Sequence, residues 1–194
     1  QPFPSKYPGS PLQAAALFLA GKAAQQSNTG NTLKAALNIF KTLGAGDTPF
    51  AQPARIEEAS VLLRMGEADQ CIAALENLLS SPLPRYMRLL ALSIQADAWV
   101  TKEDTHSDTL RKAINLCTEI LDTPNLGLAW KFKALTQRAQ FYERMNDQKK
   151  ALDDYASILA HTPSGSSANK RRDWHWFYNA GFASIRLLGQ LQDW

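Results

Sequence analysis

A small residue recurs at nearly regular intervals along this chain, and that pattern constrains the fold more than any other feature. Ala36, Cys71, Ala113 and Ala151 succeed one another at intervals of 35, 42 and 38 residues. Each is followed four positions later by a larger or apolar residue: Phe40, Leu75, Cys117 and Tyr155. Each is also followed, after 13, 11, 11 and 12 positions, by Pro49, Pro82, Pro124 and Pro163. A small residue lets a neighbouring helix approach closely, and the larger one fills the gap one turn along. Proline then stops the helix, because it lacks an N–H and clashes with the preceding turn. The segments between these units carry a matching signal three residues apart: Ala59 with Leu62, Ala96 with Trp99 and Ala139 with Tyr142, with Gly21 and Ala24 in that role near the start. Polar or glycine-containing steps divide the two halves of each unit, at Gly66-Glu67, Glu103-Asp104 and Asn146-Asp147.

Helical periodicity predicts nine helices, over residues 11–26, 32–43, 53–65, 68–80, 84–100, 108–121, 126–145, 148–160 and 173–191, and no strand. Ser10 is the expected N-cap of the first, with Pro11 in its first turn. Short turns make successive helices antiparallel neighbours. The pairs are therefore 11–43, 53–80, 84–121 and 126–160, after an irregular lead over 1–10, with 173–191 left unpaired. The expected fold is all-α, a single domain over 1–194.

The repeat interval, the facing small residues and the terminal proline resemble the tetratricopeptide family, whose repeat is 34 residues. The likeness runs from about Leu12 to Pro163 and is cleanest over 132–163, where Ala139, Tyr142, Ala151, Tyr155 and Pro163 all match. The longer intervals are absorbed in loops, including the turn around Thr105–Thr109, where insertions are tolerated. The first-helix aromatic of the family is missing from most units, and Arg55 stands in its place in the second. The resemblance implies an α/α superhelix, a right-handed solenoid of about four and a half helix pairs. The start of the chain, Phe3-x3-Tyr7-Pro8-x-Ser10-Pro11, is similar to repeat junctions in bacterial envelope proteins, namely outer-membrane-assembly lipoproteins and Tol–Pal-associated periplasmic proteins. That likeness implies a periplasmic or envelope location, with the cytoplasm as the alternative.

Composition excludes several function classes. The 21 basic and 18 acidic residues leave a net charge of +3, without the concentrated basic stripe that a nucleic acid requires. The one basic run, Lys170-Arg171-Arg172, reads as a solvated helix entry rather than a phosphate contact. No apolar run is long enough to span a bilayer, and Gln1-Pro2-Phe3-Pro4 shows no charged and apolar tract of a signal peptide, with removal of one ahead of Gln1 left open. Cys71 and Cys117 have no metal-ligand spacing and read as small buried side chains.

No phosphate loop, zinc motif or nucleophile elbow is present, so no cofactor, metal or catalytic residue is expected. His106, His161 and His175 lie in different units; His161 falls at a helix C-terminus, where the dipole explains it. The adjacent carboxylates Glu57-Glu58 and Asp153-Asp154 diverge by about 100° on a helix and do not converge on one substrate atom. The aromatic run Trp174-His175-Trp176-Phe177-Tyr178 admits a base-stacking platform. Packing explains it better, with Trp174, Phe177, Ile185 and Leu188 on one face and Trp176 and Phe182 pointing elsewhere.

The resulting expectation is a protein-binding scaffold and not an enzyme. A peptide or partner protein would lie on a concave face lined by the first helix of each pair. In the second and third pairs the candidate contacts are Ile56, Ser60, Leu63, Arg64, Ser93 and Asp97. In the fourth they are Lys133, Thr136, Gln140 and Arg144. Two alternatives from other classes are a non-catalytic regulatory or substrate-delivery segment of a larger enzyme, and a self-assembling element of an envelope complex. Gln192-Asp193-Trp194 resembles the turn Asn146-Asp147-Gln148, which suggests a longer array, and the unpaired ninth helix is a candidate for self-association.

Overall fold

The computed structural model describes residues 12–27, 29–102, 107–161 and 170–192. The expectations placed on Ser10–Pro11, the lead motif from Phe3, the step Glu103-Asp104, His106, Pro163 and Asp193-Trp194 lie outside the described residues, as do the side chains of Lys170, Arg171 and Arg172. All regular structure among the described residues is helical: α1 (Gln13–Ser27), α2 (Gly30–Gly44), α3 (Ala51–Arg64), α4 (Ala68–Leu79), α5 (Arg85–Thr101), α6 (Ser107–Leu121), α7 (Leu128–Arg144), α8 (Gln148–Leu159) and α9 (Lys170–Gln192). Each stands within a few residues of its expected position.

Local chemistry sets the helix ends. Thr29 caps α2 in a reciprocal box, its Oγ1 accepting from the Thr32 N–H at 3.3 Å while its own N–H donates to Thr32 Oγ1 at 3.0 Å. Pro84 precedes α5, where its missing N–H is harmless. The turns after α3 and α7 share one design. The N–H groups of Glu67 and Asp147 each reach back five residues, to the carbonyls of Leu62 and Tyr142, both at 2.9 Å. Closing such a turn needs a residue in the left-handed region: Gly66 at φ 83° and Asn146 at φ 59°. Arg64 and Arg144 end α3 and α7, where a cation meets the partial negative charge of the helix terminus.

The chain divides into two compact units, Gln1–Glu103 and Asp104–Trp194. The division falls inside the expected third pair, 84–121. In the first unit α1 packs on α2, α2 on α3, α3 on α4, α4 on α5, and α3 also on α5. In the second, α6 packs on α7, α7 on α8, α8 on α9, and α7 also on α9. Contact between consecutive helices, together with contact between one first helix and the next, is compatible with a helical repeat.

The small residues of the sequence pattern occupy the helix crossings. Ala36, Ala59, Cys71, Ala96, Ala113, Ala139 and Ala151 are all fully buried. Phe40, Leu75, Cys117 and Tyr155 are buried one turn along from their small partners. Gly21 is indispensable in the same way: an added Cβ would stand 2.7 Å from Phe40 Cε1. In the first unit one core gathers around Leu33, Phe40 and Val61 and another around Leu62, Leu75 and Leu78. In the second unit a core is built on Phe132, Leu135, Tyr155, Ile158 and Leu187.

The packing of α9 corrects one expectation. Trp174, Ile185 and Leu188, expected to pack, are exposed, while Trp176 joins Ala180, Ala183 and Leu187 against the core. The face that docks is the one whose small alanines allow close approach to α8.

Candidate functional site

In the first unit the expected contact residues are largely spent on the fold. Ile56 is 3% exposed and Ser93 1%. Both are therefore withdrawn as partner contacts: Ile56 joins the core, and Ser93 lies within α5 among Ala91, Leu92 and Ala96. Leu63 is partly buried against the same core as Ile56. Ser60 Oγ accepts from Gln25 Nε2 at 3.3 Å, and Arg64 Nη1 donates to the Gln25 carbonyl at 2.8 Å. Lys22 and Glu57 close the same seam with an ion pair at 2.8 Å. Lys22 with Glu57, and Gln25 with Ser60, are each 35 residues apart, the first interval of the small-residue pattern. The seam thus joins equivalent positions of α1 and α3. Asp97 is partly buried; its charge and, above all, burial push the Cys71 thiol up to about 12. Cys71 is therefore an inert thiol at neutral pH.

A cleft of about 460 Å³ also opens in this unit, beside Lys41, Gly44, Arg55, Glu58 and Asn77. Arg55 Nε donates to the Gly44 carbonyl at 2.9 Å. Partial burial raises the pKa of Glu58 above its usual range, against the opposing pull of Lys41 and Arg55.

The second unit gathers the expected residues into one place. Thr136, Gln140 and Arg144 lie four positions apart, on one side of α7, and line a cleft of about 730 Å³. Glu143 and Tyr155 line it from α7 and α8, and Asn179, Phe182, Ala183 and Arg186 from α9. Lys133 is not among the lining residues; its Nζ stands 5.1 Å from the Trp130 ring centre, a cation–π distance.

Glu143 organises the cleft. One carboxylate oxygen accepts from the Tyr155 hydroxyl at 2.8 Å, the other from Arg186 Nη2 at 2.6 Å. Burial, and then this carboxylate, push the Tyr155 hydroxyl pKa well up, so the phenol stays protonated as a donor. The acidic group is thereby neutralised within the wall, and the surface presents the Gln140 and Asn179 amides, the Arg144 guanidinium and the Phe182 ring, which is 71% exposed. Thr136 Oγ1 is buried and has no hydrogen-bond partner among the described residues. On another side of α7, Arg138 grips Asp154 through two hydrogen bonds, at 2.9 and 2.7 Å, and donates a third to Thr118 Oγ1 at 3.0 Å. That fork ties α7 to α8 and α6.

The sequence reading missed the contribution of α9. The signal was available: Asn179, Ala183 and Arg186 recur at helical spacing, as Thr136, Gln140 and Arg144 do. What hid it is that the aromatic run dominates the pattern of α9 and points to another face.

Among the described residues no three His, Cys, Asp or Glu side chains converge as a metal site would require. His161 is engaged structurally: its Nδ1 lies 2.8 Å from the Ser157 carbonyl, its Nε2 3.4 Å from Lys131 Nζ, and its ring packs edge-on to Phe132. His175 pairs with Asn179 one turn along α9, Nδ2 to Nε2 at 3.0 Å. No helix of the described residues is long and apolar enough to cross a membrane. Among the described residues the class these features define is an all-helical protein whose consecutive helices pack on one another, compatible with a helical repeat. No family model matches the chain, and no curated protein or solved structure matches it either.

Proposed function

We propose that this chain is a tetratricopeptide-type helical repeat acting as a protein-binding scaffold, and that the cleft between α7 and α9 receives an extended peptide segment of its partner. The observation that carries this reading is the make-up of the cleft. It is an open trough on rigid helices whose acidic group is already satisfied, and it is lined by amide groups and the cationic Arg144 beside one exposed aromatic ring. A backbone rich in carbonyl acceptors suits those amides. A carboxylate-bearing side chain suits the positive charge of Arg144. An apolar side chain suits the Phe182 ring. The reading assigns no catalytic step to any residue.

The test is a peptide-display selection against the intact chain, followed by titration of a selected peptide. Replacing Gln140 and Arg144 together by Ala should weaken binding at least tenfold, about 1.4 kcal/mol, with the helical signal unchanged. Unchanged affinity in the folded variant would refute the assignment of this cleft.

A further inference from the structure

Helix α9 has two apolar faces, and its own unit uses one. Trp176, Ala180, Ala183 and Leu187, at intervals of four, three and four, dock on the core formed with α7 and α8. On the other side Trp174, Tyr178, Phe182, Ile185 and Leu188 recur every three or four residues and stand between 37% and 71% exposed. At about 100° per residue the two sets lie roughly opposite each other. Two glycines flank the exposed stripe, and the unit's own packing requires neither. An added Cβ at Gly189 meets nothing within 4 Å, and at Gly181 only Leu159 Cδ2, at 3.9 Å. Glycine inside a helix lowers its stability, so these two positions read as room left for a side chain from outside.

We propose that this face of α9 is a self-association surface, on which a second copy of the chain lays its own α9 antiparallel. The stripe is complementary to itself in that direction. Its first half is aromatic (Trp174, Tyr178, Phe182) and its second half aliphatic (Ile185, Leu188), with Gly189 in the aliphatic half. Antiparallel pairing about a centre near 183–184 places Tyr178 over Leu188 and Gly189, and Ile185 over Gly181, large residues over small ones. The area is also sufficient. At roughly 200 Å² for a large apolar residue, half-exposed on average, the five residues of the stripe offer about 500 Å² per copy. Two copies would bury about 1,000 Å², the size a specific interface has to reach. This inference stands apart from the peptide-binding reading, and its test avoids Phe182, which belongs to both surfaces.

Sedimentation equilibrium of the intact chain from low to high micromolar concentration should show the 21.5 kDa monomer passing into a dimer of twice that mass. The variant carrying Ile185→Glu and Leu188→Glu should stay monomeric throughout, with its dissociation constant raised at least about a hundredfold, while its circular dichroism and melting midpoint match the parent. Direction is read by oxidative cross-linking. Ile185→Cys should form a covalent dimer, because the two copies of position 185 lie within about 5 Å along the helix axis; Trp174→Cys should not, its copies lying about 28 Å apart. Cys71 and Cys117 are buried and do not interfere. The proposal is overturned if the parent chain is monomeric at every concentration, or if Trp174→Cys cross-links as readily as Ile185→Cys. It is overturned equally if the monomeric chain binds phosphatidylserine vesicles and loses that binding in the double glutamate variant, which would give the stripe to a bilayer.

Discussion

The helix pairs α3/α4 and α7/α8 are two versions of one design, related by a constant offset of 80 residues. Ala59 and Ala139, Leu62 and Tyr142, Arg64 and Arg144, Gly66 and Asn146, Cys71 and Ala151, and Leu75 and Tyr155 correspond. The small residues at the crossings are buried in both, and the closing turns repeat the same backbone hydrogen bonds. The polar positions do not. Arg138 and Asp154 form a part-buried fork in the second unit, where the first has Glu58 beside Ala74 and an open cleft. Ser60 and Arg64 are bonded to α1, whereas Gln140 and Arg144 are among the residues that line a cleft. Close packing therefore preserves one set of positions, while the face toward the neighbouring first helix is free to become either a seam or a site.

The comparison is broken most severely at the Arg138–Asp154 fork. Asp154→Ala strands a part-buried guanidinium and should lower unfolding free energy by about 3 kcal/mol in urea titration. The corresponding Ala74 has no charged partner to strand. Next come the crossings. Ala59→Leu and Ala139→Leu should each cost roughly 1–3 kcal/mol by overpacking, and nearly equal losses would show that the two pairs share one crossing geometry. Smaller again is the closing turn. Gly66→Ala places a Cβ in the left-handed region and should cost about 1 kcal/mol, while Asn146→Gly should change stability by less than half of that. A large loss for Asn146→Gly would mean that the side chain of Asn146, and not its backbone, holds the turn.

The smallest effect concerns Glu58. Its pKa is raised by burial, so the folded state holds the proton more tightly than the unfolded chain does. The ionised form then costs stability above the folded pKa, and the cost fades as pH falls toward the ordinary value of 4.5. Glu58→Gln should accordingly be slightly more stable than the parent at pH 7 and indistinguishable from it below that value. A parent more stable than the variant at pH 7 would mean that Lys41 and Arg55 outweigh desolvation.

Much of this molecule was legible before any coordinate. A residue such as Ala139 announces its burial because its partner lies in the adjacent helix, a few turns away in sequence, and the 3.6-residue period fixes which side of the helix that partner meets. The helices, their antiparallel order and the small-residue crossings follow from such local signals, as does the placement of Thr136, Gln140 and Arg144 on one side of α7. Only the tertiary structure decided what covers the remaining sides. Ile56 and Ser93 looked as available as Thr136 in the sequence and proved buried. Ser60 and Arg64 were taken by α1, and the cleft gained Asn179, Phe182 and Arg186 from α9. The physical reason is that each such side is covered by a helix from another pair, reached through loops of unequal length. Helical periodicity measures angle around one axis, and it carries no information about which other axis lies alongside.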